Sequence, residues 1–98
     1  MANGKELILP AARKEAVQRL GRIEGQIKGI KKMVEEGRYC VEVLGQISAV
    51  HEALRGVGKL IMRNYLENCV THSLRSRNKN RAAKTHEELM DVVYKFAK

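Results

Sequence analysis

From Ala16 onward the apolar residues Ala16, Leu20, Ile23, Ile27, Ile30 and Val34 step by four and three, the spacing of one face of a packed helix. The pattern predicts a first helix over residues 10–37. Pro10 suits its first turn because φ is already fixed there, and Gly37 marks its end. A second periodic stretch runs from residue 39 to residue 72, with Cys40, Leu44, Ile47, His51, Leu54, Gly58, Met62, Tyr65 and Cys69 on one face at about 100° per residue. Such a helix is about 50 Å long, against a radius of gyration of about 13 Å for a globule of this size, so it needs a second chain beside it. The third element is short. Thr85 and Glu88 have the spacing of a capping box, and Leu89, Val92, Val93 and Phe96 follow at helical intervals. Between them, residues 73–84 carry Arg75, Arg77, Lys79, Arg81 and Lys84 with no acidic residue and read as a basic loop. No strand pattern, internal repeat or second domain is legible. The expected fold is all-α: one domain over residues 1–98, a three-helix protomer with residues 1–9 as a flexible tail.

Composition sharpens the need for a partner. The 98 residues include one Pro, one Phe and no Trp, which leaves few large side chains to fill a core, and oligomerisation is the natural remedy. Nineteen Lys and Arg against eleven Asp and Glu give a net charge of +8, a field that favours a polyanion such as nucleic acid or an acidic membrane surface. No apolar run approaches the roughly 20 residues of a membrane span, and the N-terminus lacks the pattern of a signal peptide. The reading is a cytoplasmic protein with no membrane partner. In a reducing compartment, Cys40 and Cys69 are metal ligands, redox-active thiols or buried apolar side chains rather than a structural disulfide.

On one helix the two cysteines are about 43 Å apart and cannot meet. In an antiparallel dimer with its twofold axis between Leu54 and Arg55, Cys40 faces Cys69 of the partner subunit and two equivalent dithiol sites result. The axis is chosen because it pairs the cysteines; the same register sets Leu44 against Tyr65 and small Gly58 against His51. The alternative, two ordinary buried thiols, stays open. Cys40 falls in the first turn of the second helix, where the dipole and nearby Arg38 favour thiolate, and Cys69 in the last turns, where the dipole disfavours it. Cys40 is therefore the expected nucleophile.

Four segments, Arg19-Leu-Gly-Arg-Ile-Glu-Gly-Gln-Ile-Lys-Gly-Ile, Gly37-Arg-Tyr-Cys40, Gln46-Ile-Ser-Ala-Val50 and Cys69-Val70, resemble the CsoR/RcnR family of small helical repressors, whose branches sense copper, nickel or cobalt, formaldehyde, or persulfide. The resemblance covers about residues 13–98. It implies a three-helix protomer, an antiparallel dimer, a dimer of dimers, and operator DNA binding that is lost when an inducer engages the cysteines. It also implies a DNA-contacting surface to which Arg19, Arg22 and Gln26 of the first helix and Arg55 and Lys59 of the second correspond. Copper-sensing members hold Cu(I) with two cysteines and a histidine one turn before the second. Here that position is Tyr65, and a phenol is a poor ligand for a soft ion. Two cysteines without the imidazole look like the persulfide-sensing branch.

The expected function is thus a repressor that releases its operator when Cys40 attacks a sulfane sulfur donor and Cys69 of the partner subunit closes a disulfide or longer sulfur bridge. No cofactor is required for this, and Tyr39 and Tyr65 flank the site. The alternative is a Cu(I) sensor using Cys40, Cys69 and His72, which lies three residues after Cys69. A solvated His72 at a helix end competes with that assignment, as it does for His51 and His86. DNA binding rests on charge and the resemblance, since no helix-turn-helix is seen; Arg55, Lys59 and Arg63 form a stripe at four-residue steps. An enzyme of the helical chorismate-mutase kind is the distant third reading: its cationic groups would have to converge inside the bundle, and most basic residues here lie off the apolar seam.

Overall fold

The computed structural model describes residues 8–75 and 77–97, the side chains at 69, 72, 73 and 97 excepted. Helix α1 spans Pro10–Glu35 and α2 Cys40–Asn64; a π-helical turn over Tyr65–Val70 leads into α3, Thr71–Leu74, and α4 spans Lys79–Ala97. The backbone is helical without a break from residue 40 to residue 74, so the protein is three helical runs, with no strand among the described residues. The described residues divide into two compact units, Pro10–Ile61 and residues 62–97 with residues 8 and 9; the tail expected over residues 1–9 lies, but for those two, outside the described residues.

In the first unit α1 and α2 form a hairpin. Its turn is a Schellman ending: the Arg38 N–H donates to the Met33 carbonyl at 3.0 Å and the Gly37 N–H to that of Val34 at 3.1 Å. Gly37 takes φ +71° there, a left-handed conformation that costs a side-chain-bearing residue 1–2 kcal/mol by the usual order of magnitude, about zero for Gly. Tyr39 sits just before α2, its carbonyl accepting from the Glu42 and Val43 N–H groups. Ala16 and Ile23 of α1 pack with Val50 and Val57 of α2, flanked by Ile30, Ala53, Leu60 and Ile61.

The seam read from the sequence divides in two. Ala16 and Ile23 are buried, whereas Leu20, Ile27 and Val34 are exposed. On α2 the expected face of Leu44, Ile47 and Leu54 is exposed, and the core is drawn instead from Val50 and Val57. A two-helix hairpin has room to bury only one stripe of each helix.

In the second unit two side chains add hydrogen bonds to carbonyls of the π turn and its entry, the Leu66 carbonyl also accepting the Thr71 backbone N–H. The Asn68 amide donates to the Asn64 carbonyl at 3.2 Å, and the Thr71 hydroxyl to the Leu66 carbonyl at 2.7 Å. Asn64 is buried, and its side-chain oxygen accepts from the Leu9 N–H at 3.1 Å.

The basic segment differs from the expectation of a loop over residues 73–84. Helix α4 begins at Lys79, because Asn78 caps it: the Arg81 N–H donates to Asn78 Oδ1 at 3.1 Å. Lys, Arg and Ala at positions 79–84 are good helix formers. Thr85 is accordingly not a cap but a buried residue inside α4, and Glu88 is one turn further along. Asn78→Ala is expected to cost about 1 kcal/mol of α4 stability, read as faster amide exchange at Arg81; an unchanged exchange rate would remove the cap.

Candidate functional site

Arg19, Arg22 and Gln26 lie at three- and four-residue steps on α1 and share one face. The structure brings all three to a single concavity floored by Ile23 and Ala53, with no acidic residue in its lining. Arg19 is paired with Glu15, Nη2 to Oε2 at 2.6 Å. Its other terminal nitrogen lies 3.4 Å from where a Cβ would stand on Gly56, so the guanidinium rests over bare backbone of α2. Arg55 and Lys59 are exposed on α2 and do not line the concavity. A second hollow at the hairpin turn is lined by Gln26, Lys32, Met33, Arg38 and Gln46 among others.

Cys40 is the first residue of α2, exposed and free, and Tyr39 beside it is exposed as well. Arg38, two residues before the thiol, is engaged by a carboxylate. It donates to Glu42 Oε2 at 2.6 Å, one turn along. That hydrogen bond and the charge of Glu42 raise the guanidinium's pKa further above its already high value, so Arg38 stays charged with its counter-charge already in place.

Cys69 lies in the π turn, within the second unit, and His72 lies in α3. Their side chains fall outside the described part of the structure, and with them the expectations that Cys69 pairs with Cys40 and that His72 is a ligand. Tyr65 opens the same π turn and donates its hydroxyl to Glu88 Oε1 of α4 at 2.6 Å. The phenol is thereby held as a hydrogen-bond donor, the protonated form, which is no ligand for a soft cation.

Sequence reasoning passed over Glu15, Gly56, Asn64 and Glu88 in these arrangements. Glu15 was within reach, since a carboxylate four residues before an arginine on a helix is a recognised pair. The other three act across elements distant in sequence and leave no local signal.

The described chain is helical and basic, with a cationic hollow on α1 and an exposed thiol at the start of α2. A family model described as a metal-sensitive transcriptional repressor matches residues 12–95. Over 84 residues the chain is 42% identical to the copper-sensing transcriptional repressor CsoR of Bacillus subtilis (strain 168), covering 86% of this chain and 80% of that one. Among solved structures, the Cu(I)-bound copper-sensing repressor CsoR of Geobacillus thermodenitrificans NG80-2 superposes with a TM-score of 0.81 at 40% identity, covering 92% of this chain and 91% of that one. The nickel-responsive transcriptional regulator InrS gives 0.66 at 36% identity over 85% of this chain and 90% of that one. The protein belongs to the CsoR/RcnR family of metal-sensitive transcriptional repressors. That is a family of repressors and not of enzymes, which sets aside the chorismate-mutase alternative. No described helix is long and apolar enough to cross a membrane.

Proposed function

We propose that the chain is an operator-binding repressor whose grip on duplex DNA is released when an inducer engages a dithiol site formed by Cys40 and Cys69 of the partner subunit. Its membership of a repressor family carries this reading. The DNA surface is assigned to Arg19, Arg22 and Gln26, supported by their convergence on one acid-free concavity, with Arg55 and Lys59 contributing phosphate contacts from α2. Assembly into an antiparallel dimer, and then a dimer of dimers, is supported by the exposed apolar residues Leu20, Ile27 and Val34 of α1 and Leu44, Ile47 and Leu54 of α2. Isolated in water, such stripes leave apolar area that a second copy covers. The cytoplasm is the compartment in which an operator-binding protein works.

Cu(I) is the inducer that the relatives favour, since both the curated relative and the superposed structure are copper-sensing repressors. Two thiolates suit a soft monovalent ion, and His72 would supply a third, nitrogen donor. Once bound, the metal would tie residues of two subunits together. The second reading, a persulfide or polysulfide inducer with no cofactor, is favoured by one observation: Tyr65, at the position of the copper sensors' histidine, is bonded to Glu88. In that case the Cys40 thiolate attacks the outer sulfur of a polysulfide and expels the remaining chain as the leaving thiolate. Cys69 of the partner subunit then attacks the Cys40 sulfur and expels hydrosulfide, so the donor is reduced and the two thiols are oxidised to a disulfide.

The test is release of a duplex that the protein itself selects from a random-sequence pool. Reduced protein is treated separately with Cu(I) and with inorganic polysulfide, and the non-reduced, denatured mass is recorded. Release by Cu(I) without covalent dimer supports the metal reading; release by polysulfide with a crosslinked dimer supports the sulfur reading. Failure of both to release the duplex ends the proposal. Tyr65→His restores the imidazole and is expected to strengthen Cu(I) binding by tenfold or more on the scale of one added ligand's outer-shell effect, in competition with a chromophoric chelator. No gain would mean that Tyr65 does not occupy the ligand position.

A further inference from the structure

We infer that Glu15 is an internal competitor for the DNA backbone, an intramolecular counter-anion that holds the Arg19 guanidinium and limits how tightly the protein binds phosphodiesters. The inference rests on the operator-binding reading above and goes beyond it by assigning a residue that weakens the contact. Three observations converge on Arg19. It is paired with Glu15 at 2.6 Å, both side chains being about half exposed, at 43% and 48%. Its other terminal nitrogen rests 3.4 Å from the Cβ position of Gly56, which leaves the guanidinium set between a carboxylate and the α2 backbone. It also lines the concavity with Arg22 and Gln26, where Arg22 has no ion pair among the described residues.

A phosphodiester entering this hollow is a dispersed anion that asks for the same guanidinium donor the Glu15 carboxylate already occupies. Binding therefore requires Arg19 to leave Glu15 or to share itself, and the carboxylate left behind repels the phosphate. An exposed pair of this kind is weak, so its removal shifts DNA affinity by a modest factor without unfolding α1. The same weakness makes it adjustable: a pair that DNA can displace sets a low resting affinity from which an inducer can finish the release. The other i,i+4 pairs, Arg38 with Glu42, Arg63 with Glu67 and Lys95 with Asp91, do not line this concavity.

The experiment titrates fluorescently labelled duplex, selected by the protein from a random pool, with the parent chain, Glu15→Gln, Arg19→Ala, the double variant, and Asp91→Asn as a control of equal charge change. Titrations run at salt from about 50 to about 200 mM. Glu15→Gln is expected to lower Kd about threefold or more at low salt and to steepen the dependence of log K on log salt by up to about 0.9 for each additional phosphate neutralised. Asp91→Asn is expected to fall well short of this. In the Arg19→Ala background the effect of Glu15→Gln shrinks to that of the control. Binding by the parent chain with Glu15→Gln indistinguishable from Asp91→Asn overturns the inference alone, as does a tightening that persists undiminished without Arg19. A parent chain that binds no duplex overturns the operator-binding reading and this inference together.

Discussion

Cys40→Ala is expected to bind duplex DNA with the parent affinity and to resist release by Cu(I) and by polysulfide. An effector shifts a binding equilibrium only by the difference in its own affinity for the two states, commonly 5- to 150-fold, or about 1–3 kcal/mol. With Cys40 gone, the site loses the exposed thiol at the start of α2, and that difference falls to about nothing. DNA binding is expected to survive because the proposed contact residues Arg19, Arg22 and Gln26 line a concavity that does not include Cys40. The measurement is a paired titration of labelled duplex by the parent and the variant, each with and without inducer. A variant still released by the inducer places sensing elsewhere in the chain; a variant that no longer binds DNA places Cys40 in the folding or the DNA surface.

Ile23→Ala is the substitution expected to cost the fold most. Ile23 is 5% exposed in a hairpin core with only four buried residues, and truncating a buried aliphatic side chain of this kind costs about 2–5 kcal/mol. Against a total stability of about 5–15 kcal/mol, that lowers the melting temperature by about ten degrees or more. Ile27, on the same helical seam, is 52% exposed, and Ile27→Ala is expected to leave the hairpin's own packing intact while weakening self-association. Thermal melts at several protein concentrations separate the two. Ile23→Ala melts early at every concentration, whereas Ile27→Ala loses stability chiefly through a stronger dependence on dilution. Equal losses for both positions would mean that burial in the hairpin does not decide their contributions.

The contrast between Ile23 and Ile27 also marks the boundary of what periodicity can say. A step of four and three identifies a helix and an apolar side, and it placed α1 almost to the residue because Pro10 and Gly37 are local punctuation. It cannot say which half of a broad stripe meets the neighbouring helix and which half is left for another chain. That choice is made by Val50 and Val57, far along the sequence. The start of α4 was missed for a related reason. Thr85 and Glu88 carry capping-box spacing, and five cations in a row of polar residues look like a loop, yet Asn78 takes the cap and Thr85 is buried. Local signals of equal strength competed, and packing decided between them. At the candidate site, Cys40 stood out from residue type and spacing, and the Arg19, Arg22 and Gln26 group entered as what the family resemblance implies. The Tyr65 to Glu88 bond, the Glu15 pair and the approach of Arg19 to Gly56 depend on folded geometry.

The π turn at Tyr65–Val70 has a meaning for the history of the chain. A single π turn is the form an α-helix takes when it absorbs one extra residue without unravelling. Around it, the Asn68 amide and the Thr71 hydroxyl add second donors to the backbone, bonding the carbonyls of Asn64 and Leu66. Related sequences can therefore differ by an insertion or deletion in this stretch and keep helix on both sides of it. The same change inside α1 would rotate every later position by about 100° and carry Ile23 or Ile30 off the face that packs. An added or lost residue is thus absorbed more readily at the π turn than inside either helix of the hairpin.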